Sequence, residues 1–469
     1  MGFLVFAGAE HTSGSPGGSV YMYSRKPGKK AGSVPDACIR DYAGVYIYSR
    51  KPGKKARWMA VSPRGACAPE KKTIYFSILK QKTNRDVYGR RRNGRPFYSS
   101  SRKTRGRVLG QRQFLRGGTL MHMADALLAP AVAATMYVAT GTTAGLSIYK
   151  LKKDDEPQKL PVMAVTASLV FAGQMINYTI PGTGSSGHMC GGMLLSALLG
   201  PQAGFLSMIV ILTIQCLFFA DGGLMALGAN IWNMAFYGCF VGYYLIWRPI
   251  MRSHWFGQGR SAQRARIIAA SIIGCIVTLQ LGAFSVVLET SLSGITELPF
   301  GAFLALMQPI HLAIGLVEGL ITSAVLVYVY ESRPELLQCV EAAESGNAKR
   351  SLKTVVAVLA VTALVVGGGL SLLASSNPDG LEWALFGNAE QGYAENMGLD
   401  EENFGVSSKA AETAGAIQEK TSFLPDYAFS DSDTPAGTSV SGIVGSAMVA
   451  GAAVLICFAG GFFRKKKSI

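Results

Sequence analysis

Long apolar runs separated by short polar loops fill the chain from residue 125 onward, and no run of that length occurs in the first 120 residues. A helix that crosses a bilayer needs about 20 mostly apolar residues. On that criterion the pattern predicts spans near 125–148, 160–178, 189–200, 203–220, 226–247, 265–288, 300–330, 353–375 and 440–463. The third run is short. With Gly200-Pro201 behind it, it reads as a half-helix or as one arm of a helical hairpin with the fourth. The expected fold is all-α, a polytopic membrane helical bundle of about nine spans, preceded by an unstructured basic leader over 1–120.

Charge divides the chain at the same place. Residues 1–120 hold 26 Lys/Arg and 5 Asp/Glu, a net of +21, while the whole chain is +16, so residues 121–469 carry −5. The basic balance belongs to the leader and gives no ground for a nucleic-acid partner of the body. The leader has no apolar core ending in a small-residue cleavage site, so it does not read as a signal peptide. It repeats Val20-Tyr21-Met22-Tyr23-Ser24-Arg25-Lys26-Pro27-Gly28-Lys29-Lys30-Ala31 as Val45-Tyr46-Ile47-Tyr48-Ser49-Arg50-Lys51-Pro52-Gly53-Lys54-Lys55-Ala56. Two copies are too few for a solenoid, and neither has a periodicity that would build a core. Two readings follow. One is a basic tail for nucleic acid or anionic lipid. The other is upstream DNA translated from a start set too early, which Arg116-Gly117-Gly118 ahead of Met121 favours, because those residues can be encoded by a bacterial ribosome-binding sequence. The eight cysteines are scattered without a C-x-x-C pair, which points to no disulfide framework or zinc ribbon; most read as small apolar helix residues.

Basic loops mark the cytoplasmic side of a membrane protein. Lys150, Lys152, Lys153 and Lys159 follow the first span, Arg248, Arg252, Arg260, Arg264 and Arg266 the fifth. Arg333, Lys349, Arg350 and Lys353 precede the eighth, and Arg464, Lys465, Lys466 and Lys467 end the chain. Nine crossings with Met121 outside put all four groups inside. Segment 376–439, with 12 Asp/Glu and 2 Lys, then falls outside. Its middle, Asn388–Thr438, is acidic and poor in aromatics and is expected to be irregular, with a charge that either concentrates cations or is simply solvated.

Candidate chemistry starts at Met121-His122-Met123-Ala124-Asp125-Ala126-Leu127-Leu128. If Met121 carries a free amine, that amine, the His122 amide nitrogen and the His122 Nδ1 close two unstrained chelate rings around one ion. If residues 1–120 stay attached, Met121 N is an ordinary amide and one ligand is lost. Nitrogen ligands in one plane suit late first-row divalent ions better than Mg²⁺ or Ca²⁺, and loss of the amide proton makes binding weaken as pH falls. A fourth ligand is expected from the outer side. His188, in the Gly-rich loop Gly182-Thr183-Gly184-Ser185-Ser186-Gly187-His188, is the candidate. His254 reads as a solvated side chain in a basic loop. His311, inside the seventh span, is either functional or a packing histidine bonded to a neighbouring carbonyl.

Met121 to Leu128, with Gln174-Met175-Ile176-Asn177 and Ile180-Pro181-Gly182-Thr183-Gly184-Ser185-Ser186-Gly187-His188, resembles CbiM, the substrate-specific membrane component of energy-coupling-factor cobalt transporters, and its nickel counterpart NikM. Phe218-Phe219-Ala220-Asp221-Gly222-Gly223, Ala226-Leu227-Gly228-Ala229-Asn230 and His311-Leu312-Ala313-Ile314-Gly315-Leu316-Val317-Glu318-Gly319 extend the likeness, which runs from Met121 to about Tyr330. The resemblance implies that Met121, His122 and His188 hold the metal in a four-nitrogen site. The family's metal site sits at a true N-terminus, so the leader over 1–120 is the one departure from its pattern. Ser376-Asn377-Pro378-Asp379-Gly380-Leu381-Glu382-Trp383 resembles CbiN, a small two-helix partner, here fused as 353–469 through a cytoplasmic linker, 331–352. That tail tips the expected substrate to Co²⁺ for cobalamin synthesis, with Ni²⁺ as the alternative.

No G-x-x-x-x-G-K-[ST] run occurs, so the chain has no P-loop of its own. The resemblance implies a coupling subunit like CbiQ and ATPase subunits like CbiO as partners in the lipid bilayer of a bacterial cell. Other readings are a stand-alone metal permease, whose H-x-x-x-x-D-H run is not found here, and a membrane metal sensor. No nucleophile–base pair supports an enzyme. Asp221 is expected to cap a helix or line the site entrance.

Overall fold

The computed structural model describes residues 6–8, 20–23, 46–49, 57–60, 122–152, 159–295, 297–340, 350–388, 397, 399, 404–429 and 436–465. They fall into two compact units, Met1–Ser99 and Ser100–Ile469.

The first unit carries a four-stranded antiparallel sheet of β1 (Phe6–Gly8), β2 (Val20–Tyr23), β3 (Tyr46–Ser49) and β4 (Arg57–Ala60), paired in chain order. The repeat copies pair with each other, Val20 opposite Ser49 and Tyr23 opposite Tyr46. This corrects the expectation of an unstructured leader. Val-Tyr-Met-Tyr and Tyr-Ile-Tyr-Ser are rich in β-branched and aromatic residues, which favour extended backbone, so two short copies suffice for a ladder. Assignment of the leader to a basic tail or to untranslated DNA falls mostly outside the described residues.

Among its described residues the only strands of the second unit are those of one small hairpin, and its regular structure is otherwise helical. Its elements are α1 (Pro130–Leu151), α2 (Lys159–Gln174), β5 (Tyr178–Ile180), β6 (Ser185–Gly187), α3 (Gly192–Leu199) and α4 (Pro201–Phe219). Then come α5 (Leu227–Ile231), a π-helical stretch Trp232–Trp247, α6 (Arg248–Met251), α7 (Arg260–Leu292) and α8 (Phe300–Ser332). The C-terminal part holds α9 (Leu352–Gly368), α10 (Gly380–Phe386), α11 (Lys409–Thr421) and α12 (Ala436–Lys465). Proline at the first turn starts α1 and α4, where its missing N–H costs nothing.

Among the described residues five helices are long and apolar enough to cross a membrane: α1, α4, α7, α8 and α12. The chain is a multi-pass membrane protein, but the expected count of nine is not reached by length. The run at 160–178 forms the 16-residue α2, and that at 353–375 the 17-residue α9. The run at 189–200 yields the eight-residue α3, a half-helix that stops at Gly200-Pro201. The run at 226–247 is helical without interruption but changes to π geometry at Trp232.

The largest apolar cluster among the described residues surrounds fully buried Phe171, Phe205, Phe219, Leu195 and Trp247, and a second one encloses Met123, Leu127, Leu128 and Phe303. The C-terminal helices pack on α2: Ser168 Oγ donates to the Ser446 carbonyl at 2.8 Å. Between α7 and α8, Gln280 and Gln308 each donate an amide to the other's backbone carbonyl, at 2.8 and 3.1 Å, a pairing that satisfies polar groups away from water. The expected irregular loop also needs correction. Residues 409–421 form a helix capped by Ser408, docked on the end of α4 through Gln418, whose Nε2 donates to the Cys216 and Gly222 carbonyls at 2.9 and 2.7 Å. Acidic composition alone did not reveal its small apolar face, Ala411 and Ala414.

Candidate metal-capture site

The segment after Met121 is not a loose end. Met123, Leu127 and Leu128 are fully buried. Asn230 grips Met123 from both sides: Met123 N donates to Asn230 Oδ1 at 3.0 Å, and Asn230 Nδ2 donates back to the Met123 carbonyl at 3.1 Å. Gly223 N donates to the same carbonyl, and Ala226 N donates to Asp125 Oδ1. The loop between α4 and α5 is thus stitched to the segment before α1. His122, the next residue outward, is 4% exposed. Met121 itself lies outside the described residues.

Asp221, in that same loop, faces His122: its Oδ1 lies 2.7 Å from His122 Nδ1. The contact is one of charge more than of a well-aligned hydrogen bond, because neither His122 ring nitrogen has a partner of good hydrogen-bond geometry. Burial would lower the affinity of the imidazole for a proton, but the charge of Asp221 outweighs it and holds His122 above its ordinary value. Burial would likewise raise Asp221, yet His122 holds it below the usual carboxylate range. The structure assigns Asp221 to His122 rather than to a helix cap.

His188 follows β6 and comes to the same place. Its ring centroid is 5.6 Å from that of His122, with the planes tilted by 53°. Its Nδ1 lies 3.2 Å from the Met189 carbonyl; when that nitrogen carries the proton, Nε2 presents the lone pair. Two elements fix the loop. On the inner side the Glu318 carboxylate of α8 accepts from Cys190 N at 2.9 Å and Gly191 N at 2.8 Å. On the outer side the hairpin is tied to the C-terminal part. Ser186 N donates to the Pro378 carbonyl, Trp383 Nε1 to Thr183 O and Asn388 Nδ2 to Gly184 O, at 2.8, 2.9 and 2.7 Å.

Both histidines line a chamber of about 100 Å³, shared with Asn233, Met307, His311 and Asp379. His311 Nδ1 lies 2.8 Å from the Met307 carbonyl, one turn back on its own helix, the contact expected of a packing histidine, and the residue also borders the chamber. Asp379 caps α10 through Glu382 N, and burial pushes its carboxyl up to about 7. His254 is exposed, as expected of a loop residue. Among the described residues no group of three or more His, Cys, Asp and Glu has metal-holding geometry; two imidazoles joined by backbone nitrogens require none.

Gly222 is one of two adjacent glycines at which the loop tolerates no side chain. Its φ is +77°, and a Cβ there would stand 2.7 Å from His122 Cβ and 2.9 Å from Asn230 Nδ2. Left-handed strain of about 1–2 kcal/mol and a displaced His122 lead us to expect that Gly222→Ala weakens Ni²⁺ binding at least about tenfold. Equilibrium dialysis on the purified variant checks this, and unchanged affinity would refute the close approach.

The sequence motifs contained Asp221, Asn230 and Glu318 without giving them these roles. Polar residues within or beside apolar runs were the available signal. Nothing in the sequence placed Asp379 at the chamber with His122.

A family model described as the cobalt uptake substrate-specific transmembrane region matches residues 122–336, and a PDGLE domain matches 353–460. A protein of Archaeoglobus fulgidus that bears the name of a fused nickel transport protein, NikMN, is 36% identical over 332 residues, 70% of this chain and 95% of its own length. The fused nickel transport protein NikMN of Rhodobacter capsulatus is 30% identical over 350 residues, again 70% of this chain and 95% of its own. A crystal structure described as a truncated transition metal transporter is 31% identical, covering 45% of this chain and 99% of that one with a TM-score of 0.39. The membrane helices of this chain, its motifs and the family-model and sequence matches agree: the chain belongs to the CbiM/NikM family of non-enzymatic, substrate-specific components of energy-coupling-factor cobalt and nickel transporters, in the fused form that continues into a PDGLE domain.

Proposed function

We propose that this chain is the substrate-capture membrane component of an ATP-driven importer of Co²⁺ or Ni²⁺. The ion is held by four nitrogens: the amine of Met121, the deprotonated amide and Nδ1 of His122, and the imidazole of His188. The observation that carries the reading is the approach of His122 and His188, 66 residues apart in sequence, to 5.6 Å between ring centroids at one buried chamber. Two imidazoles sharing one ion at about 2 Å per nitrogen bring their centroids within about 6 Å. Chelation uses the ring edge that faces Asp221, so an ion at Nδ1 has a carboxylate beside it.

The fused tail argued for cobalt. Relatives with the same fusion carry nickel in their names, so the tail fits either ion. Nickel is favoured by those relatives and cobalt by the description of the matching family model. Energy comes from separate ATPase subunits like CbiO through a coupling subunit like CbiQ. Met121 faces outward with the basic loops and the C-terminus in the cytoplasm. The domains are a leader to residue 120, a metal-binding body over 121–330, a linker over 331–352 and a CbiN-like segment over 353–469.

A free amine requires the working chain to begin at Met121. N-terminal sequencing of the membrane-purified protein, with metal analysis of the same sample, tests this. Met121 at the terminus with one equivalent of Co²⁺ or Ni²⁺ is expected; Met1 at the terminus with the same metal content would overturn the four-nitrogen site. Uptake of radioactive cobalt and nickel with and without the ATPase partners tests the energy source, and uptake that ignores their loss would refute it.

A further inference from the structure

We propose that Tyr427, supplied by the C-terminal segment, is a positioning residue for metal capture that acts on His122 through Asp221. This rests on the reading of His122 as a ligand. The Tyr427 hydroxyl donates to Asp221 Oδ2 at 2.7 Å, and the other oxygen of that carboxylate lies 2.7 Å from His122 Nδ1. All three side chains are buried. The chain of contacts therefore runs from residues 353–460, matched by one family model, into residues 122–336, matched by another.

Tyr427 is aimed by its surroundings. Its ring stacks on Phe219 at 4.9 Å between centroids, and its carbonyl accepts from Ser441 Oγ. The turn that presents it has left-handed backbone at Asp426 and Tyr427, φ 53° and 57°. Gln418, from the helix just before, donates to the Cys216 and Gly222 carbonyls on either side of Asp221. The segment thus grips both flanks of the loop and adds one bond to the carboxylate itself.

Charge explains why that bond matters. A divalent ion held by one deprotonated amide and otherwise neutral nitrogens leaves one positive charge in a buried site. Asp221 stands where it offsets that charge. Asp379, the other carboxylate at the chamber, has an oxygen committed to Glu382 N. Asp221 stands beside the ligating Nδ1 rather than behind the ring, so it acts on the ion by its charge, and loss of such an outer partner usually costs about 10–100-fold in affinity.

The test is titration of Ni²⁺ and Co²⁺ into the full chain purified from membranes, for Tyr427→Phe, Asp221→Asn, the double variant, Gln418→Met and His122→Ala. Tyr427→Phe keeps the ring on Phe219 and removes only the hydroxyl. It is expected to weaken binding about 10–100-fold and to shift the visible absorption band of bound Ni²⁺ at saturation. In the Asp221→Asn background it should add less than about twofold, because both changes break one chain of contacts. Wild-type affinity in Tyr427→Phe, or fully additive losses in the double variant, overturns the proposal. A Gln418→Met variant that reproduces both the loss and the band shift overturns it too, by assigning the effect to docking. Misfolding of Tyr427→Phe would assign the residue to packing, with the same result. Wild-type binding in His122→Ala overturns instead the ligand reading underneath.

Discussion

Replacement of His122 with alanine is expected to weaken Co²⁺ and Ni²⁺ binding at least about 100-fold. Four protein ligands typically contribute about 10–16 kcal/mol to a structural metal site at neutral pH, so one lost nitrogen removes about 3 kcal/mol, or two orders of magnitude. The actual loss should be larger, because His122 closes one chelate ring and its departure also frees Asp221 in a buried position. His188→Ala removes an imidazole from the opposite side of the chamber and should cost about as much as one ligand. Isothermal titration of the purified chain reads both. A His188→Ala protein that binds either ion at wild-type strength would remove His188 from the site. The pH profile has a fixed sign. Binding releases the His122 amide proton and requires a neutral imidazole, which Asp221 holds above its ordinary value, so affinity should fall as pH falls. A profile that is flat from neutral to mildly acid pH would contradict amide coordination.

The second large effect is expected at Glu318, 1% exposed in the middle of α8. Its carboxylate takes the backbone N–H groups of Cys190 and Gly191, just after His188 and at the start of α3. Those donors have no helical acceptor, since they precede the first turn. Glu318→Ala leaves both buried and unpaired. A buried donor left unpaired costs about 1–3 kcal/mol, so a loss of roughly 2–5 kcal/mol is expected in the stability of this part of the fold. Glu318→Gln keeps an acceptor oxygen and should lose about half as much. Thermal unfolding in detergent, followed by nickel titration at a temperature where each variant is folded, separates stability from affinity. Wild-type stability in the alanine variant would show that the carboxylate does not hold this turn.

The helical class was legible because bilayer length imposes a plain periodicity: runs at 203–220, 265–288, 300–330 and 440–463 became long apolar helices. Counting was less secure. α3 is an apolar stretch of eight residues enclosed by protein, and hydropathy cannot separate that from a lipid crossing. The leader strands were missed because a four-residue aromatic repeat has too little length to show alternation, and α11 because its apolar face is built of alanines.

By itself, the sequence determined which atoms could chelate: a Met-His terminus would offer an amine, an amide and Nδ1 through bonds that are covalent and local, so their geometry needs no fold. It also marked His188 as a candidate and excluded His254 by its basic, solvated loop. Everything non-local was decided by the tertiary structure. That His188 stands across a chamber from His122, that Asp221 stands beside the His122 ring, that Glu318 holds the His188 loop and that Tyr427 reaches Asp221 from 206 residues away all depend on helix packing. The physical reason is that a buried charge or N–H group must find a partner wherever packing leaves one, and a linear sequence does not record which distant residue that will be.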